Sequence, residues 1–225
     1  MNTDRTHPTR ASILASDLLC ALLLTFAYVP HAAAGSTEDF ARAEKSMREG
    51  DVARALPILK RLADGGYAPA QSRLADLYDK AEENVAAVAY YRKAAEQGDA
   101  QGLFGLASMY AAGEGVERNM QESLRLIRQA GEQGHVPAIH AMANAYIVAE
   151  PALKDSSFST QALHWSMRAA ETGYVPAMDA LTRAYQTGQW GVAADQATAQ
   201  AWKQKADAAR RALANQAAQS TSEKP

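Results

Sequence analysis

The feature that most constrains this chain is a self-similarity that recurs four times. The segments are Gly66-Tyr67-Ala68-Pro69-Ala70, Gly98-Asp99-Ala100-Gln101-Gly102, Gly134-His135-Val136-Pro137-Ala138 and Gly173-Tyr174-Val175-Pro176-Ala177, with glycines 32, 36 and 39 residues apart. Eight residues after each segment stands a tyrosine: Tyr78, Tyr110, Tyr146 and Tyr185. Further on, a small residue precedes a large apolar one by three positions, in Ala87/Tyr90, Ser123/Leu126, Ala162/Trp165 and Ala199/Trp202. A period in this range means stacked supersecondary units that share one continuous core.

Each unit reads as two helices. Ala70, Leu74 and Tyr78 recur at intervals of four, as do Gly102, Leu106 and Tyr110, which sets them on one helical stripe. Glycine after the second helix ends it, because glycine enters the left-handed conformation without penalty. Pro69, Pro137 and Pro176 fall in the first turn of the next helix, where a missing N–H costs nothing. Small residues on the stripe let backbones approach, and the tyrosines and tryptophans read as core between hairpins.

This pattern resembles the Sel1-like repeat family, a variant of the tetratricopeptide fold, whose approximate form is A-x3-L-G/A-x2-Y-x2-G-x-G-V-x2-D-x3-A-x2-W-Y-x-K-A-A-x2-G. The third unit supplies Ala138, Met142, Ala143, Tyr146, Ala162, Trp165, Arg168, Ala169, Ala170 and Gly173. The second keeps the loop signature Gly113-Glu114-Gly115-Val116, with Asn119 where the family favours Asp. The first unit shortens that loop to 79–86, and the third extends it through Pro151 to Thr160. The resemblance implies an all-α, right-handed α/α superhelical solenoid with units at 65–97, 98–133, 134–172 and 173–206. Upstream, 35–64 reads as a degenerate hairpin with Phe40, Ala43 and Met47 facing Ala55, Leu56, Leu59 and Leu62, and with Pro57 kinking the second helix or marking a later start. Downstream, a capping helix ends at 214, and the polar segment 215–225 reads as disordered.

Residues 1–34 differ in kind. Arg5 and Arg10 precede an apolar run, Leu18 to Val29, followed by Ala32-Ala33-Ala34 before Gly35. Basic, apolar and small-residue segments in that order are a secretory signal, with cleavage predicted after Ala34 and a periplasmic or secreted product. Asp17 at the start of the run is atypical, and the alternative is a retained anchor. The run is shorter than the roughly 20 residues of a spanning helix. Cys20 is the one cysteine and lies within that run, so the mature chain would use no disulfide.

With 23 basic and 25 acidic residues the chain has no basic excess for nucleic acid or an anionic membrane. Catalytic constellations are equally lacking. His135 and His140, five apart, do not share a helical face as metal ligands would, and no nucleophile or phosphate-loop motif occurs. Neither a cofactor nor a metal is expected. Some cysteine-rich relatives of the family are linked to β-lactam binding, but their paired cysteines have no counterpart here.

The sequence therefore points to a non-catalytic extracytoplasmic adaptor or scaffold that binds a protein or peptide in a concave groove lined by the first helices. The alternatives are an immunity protein neutralising a secreted toxin, a role the family resemblance implies, and a protein that binds cell-wall fragments or binds or hydrolyses β-lactams. Two and six positions after each Ala/Gly anchor, the first helices carry Ser72/Asp76, Phe104/Ser108, His140/Asn144 and Asp179/Arg183. These vary from unit to unit while the stripe does not, which makes them the candidate recognition column. Phe158, in the long third connection, is the second candidate.

Overall fold

The computed structural model describes residues 31–149 and 156–222. The apolar run Leu18–Val29, Cys20 and Pro151 lie outside those residues. Ten α-helices follow one another among the described residues, with no strand. They are α1 (His31–Arg48), α2 (Val52–Asp64), α3 (Ala68–Lys80), α4 (Asn84–Glu96), α5 (Ala100–Ala112), α6 (Met120–Glu132), α7 (Val136–Val148), α8 (Ser156–Glu171), α9 (Val175–Thr187) and α10 (Gln196–Ser222). Each helix packs on its successor, giving five stacked hairpins.

The turns between hairpins follow the glycine argument. Gly66, Gly98, Gly134 and Gly173 have φ of +87°, +79°, +89° and +87°, the left-handed region, at equivalent places in the stack. Pro69, Pro137 and Pro176 then stand in the first turns of α3, α7 and α9, whereas α5, which has no proline there, is capped by Asp99 accepting from the Gly102 amide at 2.7 Å. Within hairpins, Asn119 and Asp195 do the same work: each donates its backbone N–H to a tyrosine carbonyl (Tyr110, 2.9 Å; Tyr185, 2.8 Å) and caps the following helix with its side chain. Either amide or carboxylate suffices for that cap.

The small stripe residues are fully buried: Ala70, Ala138 and Ala177 are 0% exposed, and so are Ala87, Ser123 and Ala162 on the second helices. Trp165 is 1% exposed and fills the gap against Gly131, whose missing Cβ would stand 2.8 Å from the indole ring. The basic residue three positions after the aromatic lies over its ring in three units: Lys93 on Tyr90 (5.0 Å), Arg168 on Trp165 (5.3 Å) and Lys205 on Trp202 (4.1 Å). Where Leu126 stands in place of the aromatic, Gln129 stands in place of the basic residue.

Three expectations need correction. Pro57 neither delays nor breaks α2, which begins at Val52 under an Asp51 cap and runs through it. The proline is exposed, so the Ala53 carbonyl it leaves without an N–H can take water. In the same helix Leu56 is 42% exposed, and Ala63 joins Ala55, Leu59 and Leu62 in the core instead. The last helix does not stop at 214 and give way to a disordered segment; it continues to Ser222. Its final turns are rich in Ala and Gln, and extending an existing helix carries no nucleation cost.

Candidate functional site

First helices of successive units touch directly, α3 with α5 and α7 with α9, while second helices meet through side chains such as Trp165 on Gly131 and Tyr90 on Asp64. The first-helix side is therefore the inside of the curve. The candidate column lies there, but its two halves behave differently.

Of the residues two positions after the anchor, Phe104 and His140 form joints between units. In register, 32 residues before Ser72, comes Phe40 of α1. Its ring meets Tyr67, the residue after the turn glycine of the next unit, at 5.6 Å between centroids. Phe104 meets His135 in the same way at 5.0 Å, and His140 stacks on Tyr174 at 4.2 Å. Phe104, expected at a solvent-side position, is thus half-buried against the core. Ser72 is 3% exposed, and its hydroxyl donates to the Pro69 carbonyl. Asp179 pairs with Arg210 of the capping helix at 2.5 Å. Phe104 and His140 are thus each matched by the turn residue that follows, whereas Ser72 bonds within its own helix and Asp179 within its own hairpin.

The residues six positions after the anchor face outward. Ser108, Asn144 and Arg183 are exposed. Asp76 is the exception, being drawn into a polar chain that crosses four units. Glu44 of α1 pairs with Arg73 (2.7 Å), and Arg73 approaches Asp76 (3.6 Å). Asp76 accepts from the Tyr91 hydroxyl (2.7 Å) and from the Gln101 amide (3.1 Å). The Gln101 carbonyl oxygen then faces His135 Nε2 at 3.0 Å.

Donor and acceptor roles follow from the ends of that chain. Asp76 is a carboxylate and can only accept, so Gln101 turns its NH2 toward Asp76 and its oxygen toward His135. The proton of His135 therefore sits on Nε2, and Nδ1 is left buried with no partner among the described residues. Burial lowers the His135 pKa, with Asp99 and Asp76 pulling weakly the other way. His140 is also lowered by burial. Its Nε2 donates to Thr172 Oγ1 (2.6 Å), whose own hydrogen goes to the Ala169 carbonyl (2.7 Å). Burial also raises the Tyr91 pKa, which holds its hydroxyl as the donor Asp76 needs.

Tyr91, Gln101, Arg73 and His135 are absent from the sequence-derived column. Tyr91 could be foreseen only from Gly105, since a Cβ there would lie 2.2 Å from the Tyr91 ring. Phe158, expected in a loop, lies in the first turn of α8 and packs on Tyr146 at 5.2 Å. It is a prop for the α7–α8 hairpin rather than a loop-tip contact.

The chain matches the Sel1 repeat family at residues 68–99, 100–135 and 176–206. It carries three Sel1 repeats. The matched segments are the units over α3–α4, α5–α6 and α9–α10, and the unit with the extended connection falls between them. Two solved structures are similar to this chain. One is a protective antigen of uropathogenic Escherichia coli strains displaying an SLR fold (28% identity, TM-score 0.64, covering 77% of this chain and 38% of that one). The other is a Sel1 repeat protein from Oxalobacter formigenes (29% identity, TM-score 0.64, covering 74% and 69%). Among curated proteins, DAP3-binding cell death enhancer 1 of Rattus norvegicus and of Mus musculus are each 36% identical over 95 residues, 41% of this chain and 19% of theirs. The match thus spans about a fifth of the length of those relatives. Sel1 repeats are generally scaffolds for protein–protein interaction.

Among the described residues no group of three or more His, Cys, Asp or Glu is arranged to hold a metal ion, and no helix is long and apolar enough to cross a membrane.

Proposed function

We propose that this Sel1 repeat protein is an extracytoplasmic adaptor that binds a protein or peptide along its first-helix face, without catalysing a reaction. The observation that carries this reading is the face itself. The first helices carry exposed, unit-specific side chains (Ser108, Asn144 and Arg183), and ion pairs and hydrogen bonds tie a polar floor together from Glu44 through Arg73, Asp76 and Gln101 to His135 at the start of α7. A floor so tied is preorganised, so a partner pays little ordering cost there. The relative named for binding DAP3 supports a protein partner as the class of ligand.

Export is the second element of the proposal and rests on the segment from Arg5 to Ala34. Cleavage after Ala34 would trim the first turn of α1, His31 to Ala34, and leave Phe40, Ala43 and Glu44 in place. N-terminal sequencing of exported protein should begin at Gly35; material beginning at Met1 would turn the segment into an anchor.

The binding test is affinity capture from envelope extract with wild type and with the double variant Asn144→Arg, Arg183→Glu. Both positions are exposed, so the variant should keep its helical circular dichroism and lose the captured partner. Equal capture by both proteins would move the site off this face. No partner held by wild type under any condition would remove the adaptor reading.

A further inference from the structure

Three of the four joints between successive first helices and turns are filled by a pair of rings: Phe40 with Tyr67, Phe104 with His135, and His140 with Tyr174. The remaining joint has Ser72 and Asp99 at the same two positions and no ring at either. The space that the rings take elsewhere is here an open pocket of ≈ 280 Å³. Phe40 and Pro69 form the apolar wall, and Glu44, Ser72, Arg73, Asp76, Asp99 and Gln101 line the rest.

The pocket has a sign as well as a shape. Glu44, Asp76 and Asp99 supply three carboxylates against the single guanidinium of Arg73, which is already shared between Glu44 and Asp76. One oxygen of Asp99 caps α5. A neutral ring would fill the volume but leave this excess negative charge facing it. A planar cation fits both demands, since a guanidinium stacks on an aromatic face and forks its donors onto carboxylates, which a lysine ammonium does not.

We propose that the Ser72–Asp99 joint is a slot for an arginine side chain presented by the partner, occupying the place that a ring takes in the other joints. This rests on the adaptor reading and gives it a partner chemistry: a chain segment with an exposed arginine.

The test is a titration of the full, ¹⁵N-labelled chain with N-acetyl-arginine amide at millimolar concentration. Saturable shifts should appear at the Gln101 side-chain amide and at the Ser72 and Asp99 backbone amides. N-acetyl-citrulline amide, with the same outline and no charge, should leave those signals unmoved. Asp99→Asn keeps a cap-forming oxygen while removing the charge, and should weaken arginine binding about tenfold, the scale of one charged hydrogen bond. Ser72→Phe installs the ring that Phe40 and Phe104 provide in register, and should abolish binding. If that variant fails to fold, the Asp99→Asn result decides alone. Shifts confined to other residues, equal response to citrulline, or undiminished affinity in Asp99→Asn would each overturn the slot. A captured partner that both variants still hold at full strength would overturn it too while leaving the adaptor reading intact. Failure of that reading shows separately, as no partner held by wild type.

Discussion

His135 is held neutral by its surroundings: Gln101 fixes the proton on Nε2, and the bare Nδ1 is buried. A proton added there would be a buried, unpaired donor. The sign of the pH effect follows. The folded pKa lies below the ordinary histidine value, so the unfolded chain binds the proton more readily, and His140 acts in the same direction. The stability these two histidines permit is fully present above about pH 6.5 and is lost as pH falls through their folded values. Thermal midpoints should therefore decline between about pH 7 and pH 5. His135→Phe, which keeps a ring against Phe104, should flatten part of that decline. Gly105 is the second residue-scale control. Its Cβ position is 2.2 Å from Tyr91, so Gly105→Ala must push the ring away and disturb the hydroxyl on Asp76. A loss of roughly 1–3 kcal/mol is expected in urea unfolding, as for an overpacked core.

At the scale of elements, the ends of the solenoid differ from its middle. α8 carries Trp165, the largest of the fully buried side chains, wedged against Gly131 of α6. Trp165→Ala should cost about 3–5 kcal/mol, measured by chemical denaturation, because the surrounding hairpins cannot collapse onto the space. α10 gives the opposite case. Trp202 and Ala206 are buried and Arg210 ties the helix to Asp179, but from Arg210 to Gln219 every residue is exposed. Deleting 212–222 should lower helical circular dichroism in proportion to length while moving stability by less than about 0.5 kcal/mol. A larger loss would mean that these turns are covered by something in the intact protein.

At the scale of the molecule, the stack works because each unit solves two problems with the same few residues. The turn glycine ends one hairpin, and the residue after it reaches back to the preceding first helix, as Tyr67, His135 and Tyr174 do. Units that touch only their neighbours transmit a mismatch to the next joint and little further. The Ser72–Asp99 joint can therefore stay open without disordering the rest. Its neighbours on either side are closed by Phe40–Tyr67 and Phe104–His135, and the polar chain from Glu44 to His135 bridges across it.

The repeat period, the helix limits near each glycine and the burial of Ala70, Ala138, Trp165 and Trp202 were legible in the residues. They depend on local rules: a left-handed turn needs glycine, a first turn tolerates proline, and a stripe at intervals of four faces one way. The division of the candidate column into joints and exposed positions was not legible. Whether Phe104 is a contact for a partner or a filler depends on which residue the next unit's turn places opposite it, 31 positions later. Likewise nothing local to Asp76 announces that Arg73, Tyr91 and Gln101 converge on it. Periodicity says which residues share a face, because that is set within one helix. Which of them are consumed in holding the stack together is set between helices, and only the packing of one unit on the next decides it.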